Sequence, residues 1–329
     1  MGCLSGEIEI GIMAKKLTIN GRSNGHMAIA KTASRAPRMQ DDHGEARLPV
    51  LKTYKIFVGG KFPRTESGRY YLLKNAKGEP IANMCLCSRK DFRDAVVVAR
   101  AAQGPWAKRA AYNRSQILYR IAEMLEGRRA QFIDELTACG LASQFAMKEV
   151  DLSIDRTLYY AGWADKYQQI FSSVNPVASS HFNFSMLEPT GVVAAITPED
   201  SGLLGLVSTI MPAICGGNSI IALASFSKPL CAVTFAEVLA TSDLPGGVVN
   251  ILTGLPKELI EHMASHMDVN AIVYCGSDIA ERKLLQEKGA DNMKRVIAHD
   301  RHWNAVESQS PYFILETQET KTTWHPIGV

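Results

Sequence analysis

From Glu188 onward the chain alternates short, nearly unbroken apolar runs with longer segments whose apolar positions recur every three to four residues. The pattern predicts strand Gly191–Thr197, helix Leu203–Cys215, strand Ser219–Ala224, helix Leu230–Thr241 and strand Val248–Leu252. Helix Lys257–Ser265, strand Ala271–Tyr274, helix Ala280–Glu287 and a short strand at Arg295–Ala298 follow. Strands that are apolar along their whole length are covered on both faces. Their alternation with helices, with Gly at the junctions, predicts βαβ units around a doubly wound parallel sheet of the Rossmann type, an α/β fold that receives nucleotides at the carboxyl ends of its strands.

Upstream, helical periodicity dominates. Tyr54–Phe62 predicts two short strands joined by a tight turn at Gly59-Gly60. Ser88-Arg89-Lys90-Asp91 matches a capping box and predicts a helix to about Ala102, ended by Gly104-Pro105. A second helix spans Ser115–Glu126, with Ile117, Leu118, Ile121 and Leu125 on one face and Gly127 at its C-cap. A third covers Ala130–Ala138 and a fourth Ala146–Gln169, with Val150, Ile154 and Leu158 at spacing four. Asn175–Leu187 predicts a projecting hairpin, and Tyr312–Trp324 alternates weakly, as an edge strand does. Residues 1–47 are polar and aperiodic and predict a disordered tail. The expected organisation is therefore that tail, N-terminal strands and helices over 48–174, the hairpin 175–187, the sheet 188–300 and a C-terminal tail 301–329.

A hydrophobic content of 46% with 21% charged residues is that of a globular protein. The net charge of +3, with basic residues interleaved among acidic ones, argues against a nucleic-acid partner. No apolar run approaches the ~20 residues of a membrane span, so no membrane association is expected, and the scattered, odd-numbered cysteines imply a reducing cytoplasm. Seven cysteines leave one unpaired in any disulfide framework. Cys139, Cys215, Cys231 and Cys275 sit in apolar contexts typical of buried thiols. His262 and His266 stand four apart on a predicted helix, but no third ligand accompanies them, and no metal site is expected.

Four ordered segments resemble the aldehyde dehydrogenase superfamily: Glu188-Pro189-Thr190-Gly191-Val192-Val193, Pro212-Ala213-Ile214-Cys215-Gly216-Gly217-Asn218, Leu244–Gly254 and Ala271–Ser277. The resemblance runs over about 52–298, with a shorter match at Thr320–Pro326. It implies the family's cofactor domain with its N-terminal helices and an NAD(P) cleft. It also implies an oligomerisation flap made of the hairpin and the C-terminal strand. Pro198, Ser225, Gly254, Gly276 and Ser277 stand at positions of cofactor contact in the family.

At the catalytic positions the chain departs from the family. The nucleophilic cysteine of the family lies beyond the last sheet strand, and no cysteine follows Cys275. His299 stands where the general-base glutamate is expected, and Asp200 where an oxyanion-hole asparagine is. A carboxylate accepts hydrogen bonds and repels a developing oxyanion. Leu223 and Phe226 replace the lysine and glutamate that contact the ribose, and Asp278 and Glu281 add negative charge to the phosphate loop. These departures predict a pseudoenzyme without a working catalytic site and without NAD(P), its catalytic domain excised between His299 and Tyr312. Its partner would be a full-length aldehyde dehydrogenase homologue, or itself, joined through the flap. The alternative is an NAD(P)-dependent aldehyde oxidoreductase whose activity is residual or completed by a partner.

Overall fold

The computed structural model describes residues 50–328; the tail expected over 1–47 lies outside them. The described chain begins with β1 (Thr53–Tyr54), β2 (Tyr70–Lys74) and β3 (Pro80–Cys85), which form a small sheet in the order β1-β3-β2. The turn between β2 and β3 is built by Asn75, whose Oδ1 accepts the amides of Lys77 and Glu79, both at 2.9 Å. The Tyr54–Phe62 hairpin is present only as a single bridge. Val58 and Lys61 exchange backbone bonds across Gly59-Gly60, both glycines having positive φ, while Phe57 pairs with Ile251 instead.

Four helices follow: α1 (Arg89–Ala107), α2 (Ala111–Gly127), α3 (Arg129–Ala138) and α4 (Ser143–Trp163), with a short α5 (Tyr167–Phe171). The capping box at Ser88 is formed, with Asp91 accepting the Ser88 amide at 2.8 Å. The helix does not stop at Pro105. That residue sits in the last turn, where a missing N–H forfeits one bond, and Trp106 holds the turn by donating from Nε1 to the Ile214 carbonyl at 2.9 Å. The long fourth helix ends earlier than its pattern predicts, and the chain bends at 164–166 before Tyr167 enters the core. Leu158 is correspondingly exposed; Val150, Ser153, Ile154 and Thr157 are the buried face.

The hairpin of β4 (Ser173–Asn175) and β5 (His181–Pro189) precedes the main sheet. That sheet contains β6 (Val192–Ile196), β7 (Ser219–Leu223), β8 (Val249–Leu252), β9 (Ala271–Tyr274) and β10 (Arg295–Ala298). It is parallel throughout, in the order β10-β9-β6-β7-β8. The helices α6 (Leu204–Cys215), α7 (Leu230–Ala240), α8 (Pro256–Ser265) and α9 (Ile279–Ala290) cover it on both sides. Successive residues of β6 alternate between two cores: Val193 and Ala195 pack with α2, α4 and α6, while Val192, Ala194 and Ile196 pack with α1 and α8. All twelve residues of α6 are buried, as a helix apolar on every side requires.

After β10, residues 299–317 include a helical turn α10 (Tyr312–Leu315) and lead into β11 (Gln318–Pro326), which runs antiparallel to β5 along its whole length. Strand structure therefore starts six residues later than the pattern predicts. The start of β11 is deeply fixed: Asn218 Nδ2 donates to the Thr317 carbonyl at 2.9 Å and Gln318 Nε2 to the Gly216 carbonyl at 3.1 Å. A side chain at Gly216 would lie 2.3 Å from Gln318 Nε2, so only glycine leaves room for this contact.

Candidate functional site

The order of the main sheet reverses between β6 and β9, and their carboxyl ends open on a cleft of about 310 Å³. Such a switch point is where doubly wound sheets receive ligands. Among the residues singled out from sequence, Asp200, Gly276, Ser277 and His299 line it. Pro198, Ser225 and Gly254 do not. Pro198 is buried against Gly205, where an added Cβ would meet its ring at 2.2 Å. Gly254, at φ +149, faces the Cys87 amide of the β3–α1 junction. Ser225 bonds instead to Glu199, which lies between Pro198 and Asp200.

The Glu199 carboxylate is the acceptor for the whole β7–α7 loop. It receives the Phe226 amide at 2.8 Å, the Ser227 amide at 3.2 Å, the Ser225 hydroxyl at 2.9 Å and the Ser227 hydroxyl at 3.0 Å. Leu223 and Phe226, expected from sequence at ribose-contact positions, are both engaged within the protein. Leu223 is fully buried in the core beside β6, and the Phe226 ring stacks on Tyr71 at 4.3 Å. Tyr71 also donates its hydroxyl to the Phe226 carbonyl at 3.1 Å.

The N-terminus of α9 is closed in the same way. Asp278 caps it, accepting the amides of Ala280 at 2.7 Å and Glu281 at 3.3 Å. Glu281 accepts the Tyr274 hydroxyl at 2.7 Å. Burial and then the Glu281 bond drive the Tyr274 phenol well above its ordinary range, so it stays protonated and donating. An added Cβ at Gly276 would lie 2.4 Å from the Tyr274 hydroxyl; the glycine accommodates that ring.

On the far wall His299 is held from both sides. Its Nε2 lies 2.9 Å from a Glu316 carboxylate oxygen, and its Nδ1 meets the Arg301 guanidinium. Because the guanidinium can only donate, Nδ1 accepts and the ring proton sits on Nε2, facing Glu316. Arg301 stacks over Phe313 at 3.8 Å; burial lowers its pKa while Glu316 opposes the shift. Cys275 also lines the cleft, yet its thiol is buried and pushed up to about 12 by that burial, with Thr209 Oγ1 at 3.6 Å. It is not a thiolate at neutral pH. His262 and His266 form no metal cluster among the described residues, and no helix among them is long and apolar enough to cross a membrane.

Sheet order, switch-point cleft and glycine positions define a Rossmann-type nucleotide fold. The sequence profile of the aldehyde dehydrogenase family matches residues 62–306, and the chain belongs to that family. An aldehyde dehydrogenase of Emericella nidulans is 29% identical over 300 residues, covering 88% of this chain and 58% of that protein. Retinal dehydrogenase 2 of Gallus gallus is 33% identical over 253 residues, covering 75% of this chain and 48% of its own length. The solved NAD+ complex of an aldehyde dehydrogenase from Bacillus cereus superposes with a TM-score of 0.71 at 25% identity, over 75% of this chain and 50% of that one. The chain thus spans about half the length of the relatives it matches.

Proposed function

We propose that the protein is an aldehyde-dehydrogenase-like pseudoenzyme, a structural or regulatory subunit that assembles through its flap with a full-length homologue or with a second copy of itself. The observation that carries this reading is the occupation of the cleft's donors by the chain's own carboxylates. Glu199 takes the amides of the β7–α7 loop and Asp278 those of the α9 N-terminus. A dinucleotide would have to displace both, against the negative charge of Glu281 and Asp200. The residues around the cleft do not fit NAD(P).

Two further features support the reading. The base position holds a histidine bound to Glu316 and Arg301, and the thiol nearest to it is protonated. The connection from β10 to β11 is residues 299–317, far shorter than a catalytic domain of ordinary size, while β11 still completes the flap sheet. An assembly role fits the flap's three strands, whose edges offer unpaired backbone groups to another chain. A cytoplasmic site of action is part of this proposal.

Mass photometry of the protein alone and mixed with a full-length homologue tests the assembly role. A mixed oligomer or a self-assembled one is expected; a monomer that ignores the homologue would sink the proposal. The second reading, an NAD(P)-dependent aldehyde oxidoreductase completed by a partner, is favoured by the open cleft of about 310 Å³ at the switch point. Calorimetric titration separates the two: micromolar binding of NAD(P) supports the oxidoreductase and contradicts the pseudoenzyme.

A further inference from the structure

α1 and α8 flank a surface groove of about 300 Å³. Arg89, Lys90, Phe92 and Arg93 line it from the first turns of α1, and His262 and His266 from α8. Its size is at the lower end of small-molecule sites, roughly 300–1,000 Å³.

The charge pattern here runs against helix physics. Cations at a helix N-terminus oppose its dipole, and like charges four residues apart repel. Three of the first five residues of α1 are nonetheless basic, with Arg89 and Arg93 four apart. The helix amides are closed by the Ser88–Asp91 capping box and take no part. Two of the cations are compensated: Lys90 lies 2.8 Å from Glu66, and Arg93 2.7 Å from Asp94. Arg89 has no ion-pair partner among the described residues. The carboxylates of α8 point elsewhere, Glu258 to Arg69 at 2.7 Å and Glu261 to Lys288 at 3.7 Å.

His266 supplies a neutral donor opposite. Its Nδ1 accepts the Asp268 amide at 3.2 Å, which places the ring proton on Nε2. Among the described residues that Nε2–H has no acceptor. Burial lowers the pKa of the ring, with Asp268 opposing and Lys294 reinforcing the shift. The ring stands edge-on to Phe92 at 5.9 Å.

We propose that this groove binds a phosphate-bearing small molecule, its oxyanion held by Arg89 and the His266 Nε2–H and the remainder lying between α1 and α8. Guanidinium forks match tetrahedral oxyanions in geometry and charge. Such a ligand would neutralise Arg89, the cation of this turn left without an ion-pair partner among the described residues, the kind of local conflict that marks functional positions.

The test is thermal melting of the full chain in inorganic phosphate and in pyrophosphate, against sodium chloride at matched ionic strength. At about 100 times Kd, a rise of roughly 5 °C is expected for one of the two oxyanions and none for chloride. Arg89→Glu removes the response and, by matching the dipole and pairing with Arg93, raises the ligand-free Tm by about 1 °C. No response of the unmodified protein to either oxyanion overturns the proposal. An equal response in Arg89→Glu overturns it too, since binding would then lie elsewhere.

Discussion

The Glu199 carboxylate accepts two amides and two hydroxyls from residues 225–227, so Glu199→Ala leaves all four donors without this acceptor. Because Glu199 and Ser227 face solvent while Ser225 is buried, the expected cost is about 1–2 kcal/mol. The sharper readout is hydrogen exchange, where the amides of Phe226 and Ser227 should exchange faster while those of β7 keep their protection. Unchanged exchange at both would show that the carboxylate does not hold the loop. Cys275 gives a second prediction at this scale. With its thiol pushed up to about 12, the native protein should leave it unmodified by iodoacetamide at pH 8, as mapped by mass spectrometry. Rapid labelling there would restore a nucleophile to the cleft and weaken the pseudoenzyme proposal. Cys275 falls inside the family-like segment Ala271–Ser277, whereas Glu199 is not itself a marked position. Glu199 lies between two positions that are, Pro198 and Asp200, and its role depends on a loop that the chain reaches only after α6 and β7.

At the scale of elements, Asn218 joins three parts of the molecule. Its Oδ1 accepts the Gly191 amide at 2.9 Å, and its Nδ2 donates to the carbonyls of Ala213 and Thr317 at 3.2 and 2.9 Å. Asn218→Ala should cost about 2–4 kcal/mol, since buried partners lose their bonds without gaining water. It should also release β11 to proteolysis before the main sheet unfolds; simultaneous loss of both would mean that β11 is not separately anchored. The strands of the main sheet were legible because they are largely apolar along their length, and no observed bound differs from the expected one by more than one residue. The small sheet was not legible. Tyr70–Lys74 and Pro80–Cys85 mix exposed and buried positions irregularly, so neither period stands out. Pro105 and the 164–166 bend show the converse, where tertiary anchors at Trp106 and Tyr167 decided element ends that local rules placed elsewhere.

At the scale of the whole molecule, stability should carry the mark of Lys294. The side chain is 8% exposed and donates to the His266 carbonyl at 2.6 Å. Burial lowers its pKa to about 8 from 10.5. Between these values the unfolded chain binds a proton that the folded chain does not, so this group makes stability rise with pH across the window. Below about pH 8 its contribution is a constant penalty. Lys294→Met should therefore be the more stable form at pH 7, with an advantage that shrinks by pH 9.5, as read from urea midpoints. An advantage independent of pH would assign the gain to packing instead. Residues 299–317 matter at this scale as well, since they carry His299 and Arg301 to one wall of the cleft, set Glu316 against His299 and deliver β11 to the flap.

The sequence by itself determined the doubly wound sheet and the family, because burial periodicity and short motifs are properties of neighbouring residues. Tertiary structure alone decided which side chains hold the loops around the cleft. Glu199 meets Phe226 across 27 positions and Asn218 meets Thr317 across 99, and such pairings depend on directional donors and acceptors brought together by the fold, which no local pattern encodes.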